Sequence, residues 1–332
     1  MLRRPTGALS HHNFIQLSQT MCQPHKVQVD YRADQPFTLP ESIQRYCEDL
    51  TEHWRWESPN LQDGQSIVCV SQAITWGTSS SQEHQKSKIA LELLPTTYFA
   101  FLFSNYSLDI PLSDGTTLRK LYEKGTFGMF GEKERGSYPR GSGFNHFQFP
   151  TFGNSLGITI SVVTADNKLI IAKRSSTKGI ARDKGKWLCA VGTQVKRHQV
   201  RFLSSASQEP DPSISALQGL HDEMGEAISC DCGEIVCLGL VYREDFHHCE
   251  LLYETTAQLS AEDLINTWKE TKVPDRREFE RLEAIDISTP EPLINHLSDQ
   301  TNVWSPQHAA GALHSLAIRF PKAIASFGLK VE

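Results

Sequence analysis

Two β-prone runs joined by a short turn, and a helix capped at both ends further along, constrain this chain's fold most strongly. Gly157–Thr164 (Gly-Ile-Thr-Ile-Ser-Val-Val-Thr) and Leu169–Arg174 flank Ala165-Asp166-Asn167-Lys168, a turn by composition, so the pair reads as a hairpin. Trp187–Val191 is a further apolar run closed by Gly192, and a polar stretch from Gln194 to Pro210 follows without periodicity. Asp211 then offers an N-cap, Pro212 suits the first helical position, and Gly225 suits a C-terminal stop, which predicts one helix over 212–224. Beyond it, Ile235–Arg243 and Glu250–Ala257 alternate like paired strands, and 261–272 and 306–319 read as helices. Strands interleaved with helices predict an α/β (α+β) architecture with a mixed sheet.

The N-terminal half reads as a smaller α+β unit over 25–110. Residues 40–56 form an amphipathic pattern started by Pro40, and Ile67–Val70 and Ile89–Leu94 are short β-prone runs. The apolar run Tyr98–Phe103 suits either a buried strand or a homodimer interface. Six glycines between 125 and 143 speak against a regular element, so 111–150 reads as a linker or insertion. No G-x-x-x-x-G-K-[ST] pattern is present to cradle phosphates. Residues 1–24 read as a flexible tail.

Composition narrows the function classes. The formal charge of −6 argues against a nucleic-acid backbone binder. No apolar run approaches the ~20 residues that span a bilayer. These points predict no nucleic acid and no membrane partner, and a cytoplasmic location, with the acid-free, Arg-bearing start (Arg3, Arg4) leaving an organellar transit peptide as the alternative. The eight cysteines sit in mostly apolar contexts and read as reduced thiols. Cys230-x-Cys232 with His247-His248-Cys249 has the wrong spacing for a C-x2-C zinc knuckle.

Chemistry concentrates on the 212–224 helix. At about 100° per residue, Leu217, Leu220 and Met224 share one arc that is expected to face the core. Ser215, Gly219, Asp222, Glu223 and Glu226 fall opposite. Such a carboxylate face suits a hard cation such as Mg²⁺, or it is simply a solvated helix face.

The stretch Gln218-Gly219-Leu220-His221-Asp222-Glu223-Met224-Gly225-Glu226 is similar to the R-E-U-x-E-E-x-G-U part of the Nudix box, G-x5-E-x7-R-E-U-x-E-E-x-G-U, where U is a bulky apolar residue. Leu220, Glu223 and Gly225 match, and Asp222 is a conservative match. Gln218 replaces the Arg, Gly219 the first Glu and Glu226 the last apolar residue, and the loop after Gly192 is longer than the motif allows. Outside the box the chain resembles the divergent Nudix hydrolases that cleave UDP-glucose. The shared features are Leu94 to Asn105 (Leu-x-Thr-x-Tyr-x-x-Phe-x-x-x-Asn), Leu156-Gly157, Ala165-Asp166, Lys173-Arg174-Ser175, and Trp304 with Pro306 to Gly311.

The resemblance implies a Nudix α/β/α sandwich over 151–325, preceded by the smaller N-terminal domain. It implies hydrolysis of a nucleoside diphosphate linked to another moiety, UDP-glucose-like nucleotide sugars first, with Mg²⁺ (or Mn²⁺) and a small nucleotide derivative as partner. Asp222 and Glu223 would be catalytic and, with Glu226 covering for Gly219, would hold the metal. Arg174, Lys173, Arg243, Glu244, Tyr98 and Asn105 would line the substrate side. Gly219 either opens room for a bulky ligand or marks a site released from catalysis. The rival expectation is therefore a catalytically idle Nudix fold that senses a nucleotide derivative or binds protein.

Overall fold

The structure, a computed structural model, describes residues 15–16, 24–57, 66–76, 87–123, 144–148, 152–177, 183–197, 209–243, 245–273 and 278–326. The six-glycine stretch, Glu244, most of the expected N-terminal tail and residues 198–208 lie outside these.

Among the described residues one mixed sheet of twelve strands runs through the chain, with helices on both faces, an α+β architecture. Its C-terminal portion contains β6 (Leu156–Val163), β7 (Lys168–Arg174), β10 (Val236–Arg243), β11 (His248–Thr256) and β12 (Phe279–Asp286). β6 lies parallel to β11, and the β6–β7, β7–β12 and β10–β11 pairs are antiparallel. The predicted hairpin turn forms, with Asn167 at φ 57. β6 is buried along its whole length, as expected of a strand covered on both faces.

The N-terminal strands extend the same sheet. β2 (His25–Tyr31) meets β10 at His25–Cys237, and β4 (Ser87–Thr97), β3 (Ser66–Trp76) and β5 (Phe144–Gln148) follow outward. β5 shows that part of the 111–150 segment is regular structure. β1 (Ile15–Gln16), inside the stretch expected to be a tail, pairs with Val241 and Tyr242.

Period-2 alternation sorts side chains to the two faces. Leu156, Ile158, Ile160 and Val162 join one core with α5 (Pro212–Met224), α6 (Glu226–Asp231) and α7 (Ala261–Glu270), and this core also takes in Val68, Ile89 and Leu91. Val163, Leu169, Ile171 and Leu252 face α8 (Glu291–Ser298), α9 (Pro306–Arg319) and α10 (Pro321–Ser326). Small residues Ala309, Ala310 and Ala312 let α9 lie close to the sheet, and it is buried from Pro306 to Ala317.

A third core joins α1 (Glu41–Gln44), α2 (Cys47–Glu57), α3 (Tyr98–Phe101), the π-helical turn Leu102–Tyr106 and α4 (Leu118–Glu123) to Phe152 and Phe246. The Tyr98–Phe103 run is therefore helical rather than a strand. Most of its side chains join this chain's own core. None of the described helices is long and apolar enough to cross a membrane. The buried Cys189 and Cys237 thiols are pushed up to about 12 by loss of solvation, as befits inert core cysteines.

Three imidazoles are enclosed by these layers. Burial lowers His247, His308 and His314 from the ordinary 6.5 to about 4. The unfolded chain takes up these protons near pH 6.5 and the native one resists until about pH 4. Stability is therefore full above 6.5 and falls as pH drops through that window, by on the order of 1–3 kcal/mol per ring. Urea midpoints measured from pH 7.5 to 4.5 should decline steadily. His314→Leu should flatten the slope, since among the described residues His314 bonds only Ala310 O through Nδ1 while its Nε2 is buried without a partner. Equal midpoints at pH 7 and 5 would refute the account.

Candidate functional site

The β6–β7 hairpin opens soon after its turn. Only Val162–Ile170 and Val163–Leu169 pair directly. The gap is filled by β8 (Trp187–Cys189), antiparallel to β7, and β9 (Val191–Gln194), antiparallel to β6. The chain must therefore reverse at Ala190, and the reversal leaves backbone N–H groups that neither neighbouring strand receives. Buried N–H groups require acceptors. Two side chains supply them from opposite faces. Glu223, from α5, takes the Gly192 N–H on Oε2 at 3.0 Å, and His308, from α9, takes the Cys189 N–H on Nδ1 at 3.2 Å.

α5 forms as its caps predict. Asp211 accepts from the Ser213 and Ile214 amides, Pro212 opens the helix, and Gly225 ends it at φ 93. Its orientation differs from the wheel. Leu220 and Met224 are fully buried, but Leu217 is 46% exposed. The helix is rotated so that Ser215, Gly219 and Glu223 are buried as well. A carboxylate on that side was expected to face solvent or a pocket, yet the face lies along β9. Trp268 fixes the end of the helix by donating Nε1–H to Glu223 O at 3.2 Å.

The acidic residues are consequently dealt to different partners. Glu223 reaches the reversal. Asp222 faces Lys196, with Oδ2 to Nζ at 3.3 Å, and its Oδ1 is 3.4 Å from His221 Nδ1. Glu226 starts α6 beyond the Gly225 break and is exposed. No group of three His, Cys, Asp or Glu side chains suited to a metal occurs among the described residues. The donor set does not make a free-standing ion cage. Mg²⁺ commonly takes one or two protein carboxylates, a number that Glu223 and Asp222 would supply.

Gly219 has a packing reason. A Cβ there would stand 2.5 Å from Thr193 Cγ2 and 3.4 Å from Val191 Cγ1. The room left by the missing side chain is occupied by β9, so it does not open space for a ligand.

No protein-family model matches the chain, and no curated protein matches it. Solved structures do. A protein of Deinococcus radiodurans aligns over 48% of this chain and 80% of its own, at 12% identity and a TM-score of 0.33. The MutT protein of Methanosarcina mazei Go1 aligns over 51% of this chain and 94% of its own, at 13% identity and a TM-score of 0.31.

The expected substrate-side residues are mostly engaged within the fold. Arg243 is buried and fully committed. Nε and Nη2 hold Asp245, Nη1 holds Asp183 and Gln307, and the guanidinium lies 4.2 Å from the Phe246 ring centroid. Burial opposes both charges here, but proximity holds Asp183 well below and Arg243 above the usual range. Arg174 pairs with Glu278 at 3.0 Å, and Lys173 Nζ lies 4.8 Å from the centroid of the Trp187 ring. Tyr98 is buried, which raises its phenol well above the ordinary value. Asn105 Nδ2 donates to Asn154 Oδ1, Phe246 O and His247 O, fastening the π-helical turn to the β10–β11 connection.

Sequence reasoning missed the α9 side. Thr159 donates to Glu250 Oε1 and lies 3.4 Å from His308 Nδ1, and His248 Nδ1 is 3.3 Å from Glu250 Oε2. Burial works against the Glu250 charge, yet His248, His308 and the Thr159 hydroxyl together bring its carboxyl below the ordinary value. The available signal was alternation: His248, Glu250 and Glu254 fall on one face of an otherwise apolar strand.

Gly219→Ala tests the packing account. In an exposed helix this change stabilises by about 1 kcal/mol, but here overpacking should cost about 1–3 kcal/mol. In a Thr193→Ala background the cost should vanish, as read from urea midpoints at pH 7.5. A stabilised single variant would show that the helix does not press on β9.

Proposed function

We propose that the chain is a Nudix-type hydrolase that cleaves a nucleoside diphosphate linked to another moiety, with nucleotide sugars such as UDP-glucose the first class to examine. One observation carries the reading. A carboxylate on a capped helix, Glu223, sits beside the exposed backbone of Gly192 at a strand reversal gripped between two helical layers. The order of hairpin, Trp-bearing strand, glycine, loop and acidic helix resembles that of the Nudix box, and a direct hydrogen bond joins Gly192 to Glu223.

Mg²⁺, with Mn²⁺ as substitute, would neutralise charge on the diphosphate when bound. The chain's own contribution is to hold Glu223 immobile. Its main chain is anchored by Trp268 and one carboxylate oxygen by Gly192. Placing an anionic carboxylate next to an incoming phosphate is repulsive unless a cation lies between them, so ligand and cation should bind together. Asp222, the second acid, is already balanced by Lys196 and belongs to the edge of the site.

A second reading, a nucleotide-derivative sensor without turnover, is favoured by one feature. Position 219 carries no carboxylate, and Thr193 occupies the space that a side chain there would need.

A panel of NDP-sugars and dinucleotides with Mg²⁺ or Mn²⁺ separates the two. Hydrolysis is expected, with Glu223→Gln losing at least ~100-fold in kcat while the melting temperature stays near that of the parent, because the amide oxygen can still accept the Gly192 N–H. Mg²⁺ alone should bind weakly by calorimetry and tightly only with nucleotide. Thermal stabilisation by one of these ligands without turnover would instead establish the sensor. Neither turnover nor stabilisation would remove both readings.

A further inference from the structure

The hydrogen bonds around His308 determine which ring nitrogen carries its proton. A backbone N–H is always a donor, so the Cys189 amide, 3.2 Å from Nδ1, requires a lone pair there. The Thr159 hydroxyl, which gives its hydrogen to Glu250 Oε1, lies farther from Nδ1 at 3.4 Å, so the closer amide decides. The neutral ring must then bear its hydrogen on Nε2. Among the described residues no acceptor bonds that atom, for the polar contacts of the imidazole are those of Nδ1 with Cys189 and Thr159.

Nε2 lies at Gly192. A Cβ at that position would stand 2.8 Å from His308 Cε1 and 3.1 Å from Nε2. Any residue but glycine would cover this edge of the ring. Gly192 is exposed, whereas the His308 side chain behind it and the Glu223 carboxylate beside it are buried. An exposed glycine is thus flanked by one buried acid and one buried donor.

The surroundings select the kind of acceptor. His308 lies in the first turn of α9, a 14-residue helix whose N-cap Ser305 makes no side-chain cap bond, its hydroxyl donating instead to Asp183. The helix dipole at that end favours an anion. Arg243 holds Gln307 at 2.8 Å, so the start of α9, and His308 with it, is pinned to the sheet.

We propose that His308 is the ligand-facing donor beside Gly192, offering Nε2–H to a phosphate oxygen of the diphosphate, with the Cys189 amide holding the Nδ1 lone pair and so keeping the proton on Nε2. This rests on the hydrolase or sensor reading only in taking a diphosphate as the ligand. It assigns His308 a binding role whether or not turnover follows.

Two substitutions divide the ring's functions. His308→Asn keeps an acceptor near the Nδ1 position for the Cys189 amide but is too short to place a donor at the Nε2 position beside Gly192. His308→Gln places an N–H donor near the Nε2 position. Long-range ¹H–¹⁵N NMR of the ligand-free wild type should show the Nε2–H tautomer, and that signal should shift on adding inorganic pyrophosphate with MgCl₂. By calorimetry, His308→Asn should bind Mg-pyrophosphate on the order of 10–100-fold more weakly, the worth of one hydrogen bond to a charged acceptor, and His308→Gln should recover most of the loss. A proton on Nδ1, or His308→Asn binding as tightly as wild type, overturns the assignment and leaves the hydrolase reading standing. Binding that depends on His308 without turnover of any nucleotide sugar sinks the hydrolase reading and supports this one. Failure of wild type to bind pyrophosphate overturns the assignment whatever the hydrolysis panel shows.

Discussion

Everything near the site depends on how the opened β6–β7 hairpin is satisfied. A hairpin that parts after two residue pairs leaves backbone donors pointing at each other across a gap, and a polypeptide cannot leave such groups buried and unpaired without a cost of about 1–3 kcal/mol apiece. The returning segment 187–194 fills the gap with main chain but brings donors of its own. Glu223 and His308 close the account from opposite faces. Their first duty is therefore structural. The same two contacts leave a carboxylate and an imidazole immobile beside an exposed glycine, which is the pre-organisation that binding and catalysis draw on.

Local signals carried most of the C-terminal half. Asp211, Pro212 and Gly225 bounded α5 because capping is decided by neighbours in sequence, and the hairpin turn was legible for the same reason. The orientation of α5 was not. Leu217 belongs to the apolar arc by spacing but lies outside, while Gly219 and Glu223 lie inside. The deciding fact is the closeness of β9, and the long connection between them hides that from periodicity. Arg243 and Asn105 illustrate a related limit. Both stand where a resemblance to known hydrolases placed substrate contacts, and both are consumed by tertiary hydrogen bonds that only the folded chain reveals. β5 was missed because its surroundings are rich in glycine, and its partner β3 supplies what local propensity lacks.

The α9 face holds a group of polar side chains inside the core. Glu250, Thr159, His248 and His308 lie together in an otherwise apolar layer, with the Thr159 hydroxyl donating to Glu250 and His248 Nδ1 3.3 Å from the other Glu250 oxygen. Gly157 contributes by absence, since a Cβ there would lie 2.6 Å from His248 Cε1. Phe101 and Phe246 enclose the His248 ring at 5.3 Å each, and the Phe246 ring lies nearly parallel to it. The N-terminal helices thus wall off this network, joining the two halves of the chain through chemistry as well as through the shared sheet.

Asn105 gives that union a temporal side. Its amide finds acceptors on Asn154, Phe246 and His247, the latter two lying 141 and 142 residues further along. β2 likewise touches the rest of the sheet through Cys237. On a ribosome the N-terminal third emerges long before those partners exist, and a buried amide without acceptors cannot settle. The early segment must wait, loosely collapsed, until the β10–β11 connection is made. Long-range closure of this kind slows folding and lengthens exposure of apolar surface, so the chain's period of greatest vulnerability falls during its own synthesis.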